Sequence, residues 1–184
     1  MLEINNGVVS SARFMPSPNF NQRPDGEEIS ALVIHNISLP AGCFDGSCVQ
    51  DLFLNQLDLA RDPSFTSLQG VTVSAHVFIR RDGQIKQFVN LNERAWHAGE
   101  SMFHGRKNCN DFSIGVELEG CDYIAYSEAQ YTSLVALTQA IMAAYPAIDV
   151  DSIVGHDYIA PQRKTDPGAA FDWPRYRQQL LENT

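Results

Sequence analysis

Residues 112–118 read Phe112-Ser113-Ile114-Gly115-Val116-Glu117-Leu118, and their alternation decides the fold. In an extended chain successive side chains point to opposite faces. Ile114, Val116 and Leu118 therefore share one face, and Ser113, Gly115, Glu117 and Glu119 share the other. Upstream, residues 29–35 (ISALVIH) form a short apolar run rich in β-branched residues. They read as a buried strand with His35 at its C-terminal end. Downstream, residues 152–155 are another short strand, again followed by a histidine, His156. Between these, residues 71–80 and 84–89 read as a hairpin whose Asp82-Gly83 turn supplies positive φ angles.

Helical signals alternate with the strands. Ser47 is placed to cap a helix carrying Val49, Leu52 and Phe53 on one side. Ser127 and Gln130 have the spacing of a capping box. Tyr131, Leu134, Val135, Thr138, Ile141, Met142 and Tyr145 then form one helical stripe that Pro146 closes. Residues 173–182 suggest a last helix capped by Asp172. Residues 91–110 form a long loop holding Trp96, His97 and His104; ordered loops of that length often carry function. Residues 1–28 are polar and Pro-containing, an irregular lead-in. The expectation is one α/β domain over residues 1–184, with a central mixed β-sheet flanked by α-helices.

Composition bounds the function. The 184 residues are 44% hydrophobic, and a chain of this length buries about 70% of its unfolded surface in one core. The formal charge of −9 argues against nucleic acid and anionic membranes, which need a basic footprint. No apolar run reaches the roughly 18 residues of a membrane helix. The opening MLEINNGVVSSARF lacks the basic start and apolar stretch of a secretory signal, so a cytoplasmic location is expected. Cys43, Cys48, Cys109 and Cys121 are expected to be reduced thiols.

Two histidines at strand ends are where α/β sheets tend to place their sites. Each alone is readily a satisfied polar residue. The segment 155–168, GHDYIAPQRKTDPG, adds Asp166, which Pro167 biases toward extended backbone, so Lys164 and Asp166 can share a face. Two imidazoles and a carboxylate suit zinc, with a fourth position left for water. A surface Lys–Asp pair is the plainer alternative. Glu117 is a carboxylate in a strand whose alternate residues are apolar, and Ser113 and Gly115 on its own face are small and leave room for a ligand; a merely solvated face, which Glu119 favours, is the alternative. Metal, acid/base carboxylate and cation are together what amide hydrolysis requires.

The ordered set His35-Asn36-Ile37-Ser38, SAHVFIRRDGQIKQFV at 74–89, RAWHAG at 94–99, CNDFSIGVELEG at 109–120 and GHDYIAPQRKTDPG at 155–168 closely resembles the AmpD-type cytoplasmic amidases. These form a branch of the N-acetylmuramoyl-L-alanine amidase family and are related to phage lysozyme-type amidases and peptidoglycan recognition proteins. The resemblance implies one catalytic zinc held by His35, His156 and Asp166, with Glu117 and Lys164 as the catalytic pair. It implies substrate contacts from Asn36 and Trp96, although Trp96 can equally be a core anchor. It implies an anhydromuropeptide substrate cut between the lactyl group of 1,6-anhydro-N-acetylmuramic acid and L-alanine, during cell-wall recycling. Phage-type relatives usually carry cysteine where this chain has Asp166. His76 matches a family histidine that is not a ligand, and a structural hydrogen bond is expected there. Related family members often carry arginine where this chain has Asn108. A non-catalytic muropeptide-binding module and a scaffold with structural zinc are the alternatives; a complete but three-residue ligand set counts against both.

Overall fold

The computed structural model describes residues 2–182. A six-stranded mixed sheet organises the domain. Its strands are β1 (Arg13–Phe14), β2 (Ala31–Ile37), β3 (Val77–Ile79), β4 (Ile85–Gln87), β5 (Ser113–Glu119) and β6 (Ile153–Gly155), in the spatial order β6-β2-β5-β3-β4-β1. β6, β2, β5 and β3 run parallel, and β4 turns back antiparallel to β3. The α-helices are α1 (Cys48–Phe53), α2 (Glu128–Ala144), α3 (His156–Ile159) and α4 (Trp173–Glu182). None is long and apolar enough to cross a membrane, among the described residues.

The alternation in β5 sorts the core into layers. Ile114, Val116 and Leu118 join Leu32 and Ile34 of β2 beneath α2 and α4, where they meet Leu134, Ile141, Tyr176 and Leu180. Burying each such aliphatic side chain is worth about 2 kcal/mol. On the opposite face Ala31 and Val33 pack against Ala98, Phe103 and Cys109 of the long loop, Phe112 just before β5 and Ile159 of α3. Both faces of β5 are thus covered. Glu119, only 3% exposed, accepts the backbone N–H groups of Asp45 and Arg81, so the solvated-face reading of this strand fails.

Other local expectations meet mixed outcomes. The Ser127–Gln130 capping box forms, and Asp172 accepts the Arg175 N–H at the start of α4. Ser47 precedes α1, but its hydroxyl donates to Asp51 instead of capping. Residues 71–76 are not strand: Val73, Ser74 and His76 spend their backbone groups singly on Asn19, Trp96, Gly115 and Phe88. The hairpin turns through Arg81, Asp82 and Gly83, and only Gly83 takes a positive φ, +83°. A Cβ there would also meet the Ala129 carbonyl at 2.9 Å.

The lead-in packs on the domain through Arg23. Its guanidinium donates to the carbonyls of Leu91, Asn92, Asn110, Asp111 and Ser113, and burial pulls it down to about 10. One side chain thereby ties both ends of the long loop to β5. The four cysteines are free, with Cys43 exposed and the others buried.

Candidate active site

Register assembles the site. His35 of β2 is paired with Glu117 of β5, so the two side chains leave the same face of adjacent strands. Gly155 of β6 is paired with Ile34 on the other side, which carries His156 to the level of His35. The short α3 begins at His156, and the chain returns with Asp166, whose carbonyl accepts the Asp157 N–H. Asn36 donates to Asp122 and to the Pro167 carbonyl, and Tyr126 donates to that same carbonyl, so the segment carrying Asp166 is held from two sides.

Three side-chain atoms converge. His35 Nδ1 lies 2.9 Å from His156 Nδ1 and 3.0 Å from Asp166 Oδ2, and His156 Nδ1 lies 3.1 Å from the same oxygen. Both rings are buried, at 1% and 2% exposure. Tetrahedral ligands around zinc stand about 3.3 Å apart, so the triangle is close to a ligand face. The donor set also demands a cation. His156 Nε2 is 3.0 Å from the Ala98 carbonyl, which only accepts, so this ring nitrogen carries the proton and Nδ1 presents its lone pair to the cluster. Two imidazoles and a carboxylate meeting in this way need a proton or a metal between them, and the residues therefore fit a divalent ion.

Electrostatics follow from burial. Burial pushes His35 down to about 4, against the opposing pull of Asp166. Burial alone would raise Asp166, but the imidazoles of His156 and His35 outweigh it and hold its carboxyl well below the usual range. Glu117 goes the other way. Burial, reinforced by the charge of Asp166 and opposed by Lys164, pushes its carboxyl well above the usual range. Glu117 Oε2 is buried without a hydrogen-bond partner. Lys164 is half-buried and within electrostatic reach of both Glu117 and His35. A carboxyl with raised proton affinity, near three side chains able to hold a metal, is suited to proton transfer.

Trp96 is half-buried and donates from Nε1 to Asn21, so it is no core anchor. His76 sits before β3, where its Nδ1 accepts the Gly115 N–H and its Nε2 donates to the Glu93 carbonyl; burial drives it down to about 3. His104 is exposed. Arg106, beside Asn108, pairs with Glu27 and stacks 3.8 Å over the Phe112 ring.

The small side chains of Ser113 and Gly115 leave room on this face, expected from the sequence to admit a ligand. His97 fills that room. Its Nδ1 is 2.9 Å from His35 Nε2, and a Cβ on Gly115 would lie 2.5 Å from its ring. Burial, followed by the neighbouring His35 and His76, keeps the His97 ring neutral by lowering it well below its usual value.

Comparison with known proteins points to one family. The profile of the N-acetylmuramoyl-L-alanine amidase family matches residues 25–169. The 1,6-anhydro-N-acetylmuramyl-L-alanine amidase AmpD of Salmonella typhimurium (strain SL1344) is 54% identical over 171 residues, covering 93% of this chain and 91% of that protein. A crystal structure of a selenomethionine AmpD derivative superimposes with a TM-score of 0.93 at 50% identity, covering 96% of this chain and 98% of that one. The Escherichia coli amidase AmiD, solved with anhydro-N-acetylmuramic acid-L-Ala-D-γ-Glu-L-Lys, superimposes with a TM-score of 0.61 at 30% identity, covering 97% of this chain and 65% of that one. With its sheet, its converging side chains and these likenesses, the chain belongs to the N-acetylmuramoyl-L-alanine amidase family.

Proposed function

We propose that this protein is a zinc-dependent amidase of cell-wall recycling. Its substrate is a muropeptide bearing 1,6-anhydro-N-acetylmuramic acid, and the bond cut joins the lactyl carbonyl to the nitrogen of L-alanine. The carrying observation is the lone-pair triangle of His35, His156 and Asp166 beside a buried Glu117 carboxyl with an unpartnered oxygen. The AmpD relative supports the choice of bond by its name, and the AmiD complex supports the choice of sugar and peptide. The acidic balance favours a small ligand over nucleic acid or an anionic membrane, and the likeness to the AmpD amidases favours action in the cytoplasm without an obligate protein partner.

His35, His156 and Asp166 would hold a zinc ion, which would supply Lewis acidity and lower the proton affinity of a water there toward neutral pH. The chain's own residues do the rest. Glu117 accepts the proton that the attacking water loses, which its elevated affinity for protons makes favourable. It then delivers that proton to the alanine nitrogen as the C–N bond breaks, leaving a lactyl carboxylate and a free peptide amine. The Lys164 ammonium faces the negative charge that develops on the carbonyl oxygen. On the family resemblance, Asn36 and Trp96 are assigned to substrate contact.

The zinc-loaded protein, incubated with an anhydromuropeptide, is expected to release free stem peptide beginning at L-alanine, followed by mass spectrometry. An ordinary muropeptide run in parallel measures the preference for the anhydro sugar. No peptide release from folded, zinc-loaded protein rejects the proposal, and tight binding without turnover identifies a sensing module instead.

Acid should remove the metal. Protons compete for the same lone pairs, and burial has moved that competition at His35 from 6.5 to about 4. A histidine whose folded value is depressed contributes stability present above its unfolded value and lost as pH falls toward the folded one. Zinc content and activity are therefore expected to hold from pH 7 down to about 5 and to fall together as the pH is lowered through about 4. Metal analysis of protein dialysed between pH 7 and about 3 tests it; full occupancy at about pH 3 contradicts it.

A further inference from the structure

A chain of hydrogen bonds runs from the backbone to the far side of His35, and its direction is fixed at its outer end. The Cys109 carbonyl lies 2.6 Å from Ser113 Oγ, and a carbonyl only accepts, so the single hydroxyl proton of Ser113 points there. Ser113 Oγ consequently offers a lone pair to His97 Nε2, 3.3 Å away, and that nitrogen carries the proton of the ring. His97 Nδ1 is then bare and accepts from His35 Nε2 at 2.9 Å. His35 in turn holds its proton on Nε2 and directs the Nδ1 lone pair at His156 and Asp166. The opposite tautomer of His97 would set lone pair against lone pair at Ser113.

The surrounding chain is built to keep His97 in place. Its backbone N–H and that of Ala98 both donate to Asn110 Oδ1, at 3.1 and 2.7 Å. The ring lies where any side chain at position 115 would begin.

We propose that His97 is the positioning residue for the metal centre: it fixes the tautomer and orientation of His35, is itself oriented by Ser113, and occupies space that only a glycine at position 115 leaves open. This rests on reading His35, His156 and Asp166 as a metal site. Partners of this kind, one shell out from a ligand, typically govern metal affinity by about 10–100-fold.

The experiment measures zinc affinity of the full chain by competition with a chromophoric chelator, with thermal unfolding of the metal-free proteins alongside. His97→Leu, which removes the acceptor, is expected to weaken zinc about 10–100-fold. His97→Asn, whose Oδ1 can take the place of Nδ1, is expected to recover most of that loss although its metal-free stability is no better. Equal zinc affinity in wild type and His97→Leu overturns the inference, as does equal weakening in both variants. A wild type that binds no zinc overturns the metal reading together with it. If His97→Leu does not fold, nitrogen NMR of the zinc-loaded wild type decides. Metal on His35 Nδ1, with protons on Nε2 of both His35 and His97, supports the inference; metal on His35 Nε2, or a proton on His97 Nδ1, overturns it.

Discussion

Asp166→Ala is expected to lose zinc and, with it, measurable peptide release. Asp166 supplies the only negative charge among the three converging side chains. Without it two neutral imidazoles remain, and they face a cation with no charge to offset its dehydration. Zinc binding in small four-ligand sites is worth about 10–16 kcal/mol, so one ligand accounts for about 3 kcal/mol, or at least 100-fold in affinity. The local backbone should survive, because the contacts that hold this segment run through the Asp166 and Pro167 carbonyls, which alanine at 166 leaves in place. Asp166→Cys makes the complementary case. A thiolate is a good zinc ligand, and this variant is expected to retain zinc where Asp166→Ala does not. Metal content by elemental analysis, with the mass-spectrometric product assay beside it, checks both. An Asp166→Ala protein that keeps a full equivalent of zinc and turns over normally removes this carboxylate from the site.

The contrast between Asp166 and His97 shows what can be seen in a sequence of this kind. His35 and His156 stand out because each ends an apolar strand, Glu117 because it is a carboxylate between apolar neighbours, and Asp166 because it follows His156 closely and precedes a proline. Chemistry of that sort is carried by residue type and short spacing. The β5 alternation likewise predicts the layers, since one buried face forces the register of a strand. His97 breaks no pattern. Its role depends on β5 lying beside β2, so that Gly115 opens space next to His35, and neither strand order nor the path of a long loop is written in local periodicity. The missing Cβ was visible as room, but what fills it comes from 18 residues upstream. Residues 71–76 failed for a related reason. Their β-branched residues favour strand, yet their backbone groups find partners on Asn19, Trp96, Gly115 and Phe88 in place of a regular ladder. Arg23 was hidden in a polar lead-in, and its value lies in five carbonyls that only the fold gathers.

Glu117→Gln separates proton transfer from metal binding. Glutamine keeps the shape and polarity of the side chain but cannot accept a proton at the working pH. General acid–base groups typically contribute about 100- to 10,000-fold, so the turnover number is expected to fall by that factor. Zinc content should be unchanged, because Glu117 is outside the triangle of His35, His156 and Asp166. The same substitution should make the metal-free fold more stable. Burial and the charge of Asp166 disfavour the ionised carboxyl in the folded state. An acid whose folded value is raised weakens the fold progressively as pH climbs above its unfolded value of about 4.3. The difference in melting temperature between Glu117→Gln and wild type should therefore be small in acid and widen toward neutral pH, with the variant higher. A group that costs stability while supplying rate is held there for its chemistry, a trade common at active sites. If the Glu117→Gln protein instead lost zinc, or melted lower than wild type at every pH, the carboxylate would be a structural support and the proton would have to travel by another group.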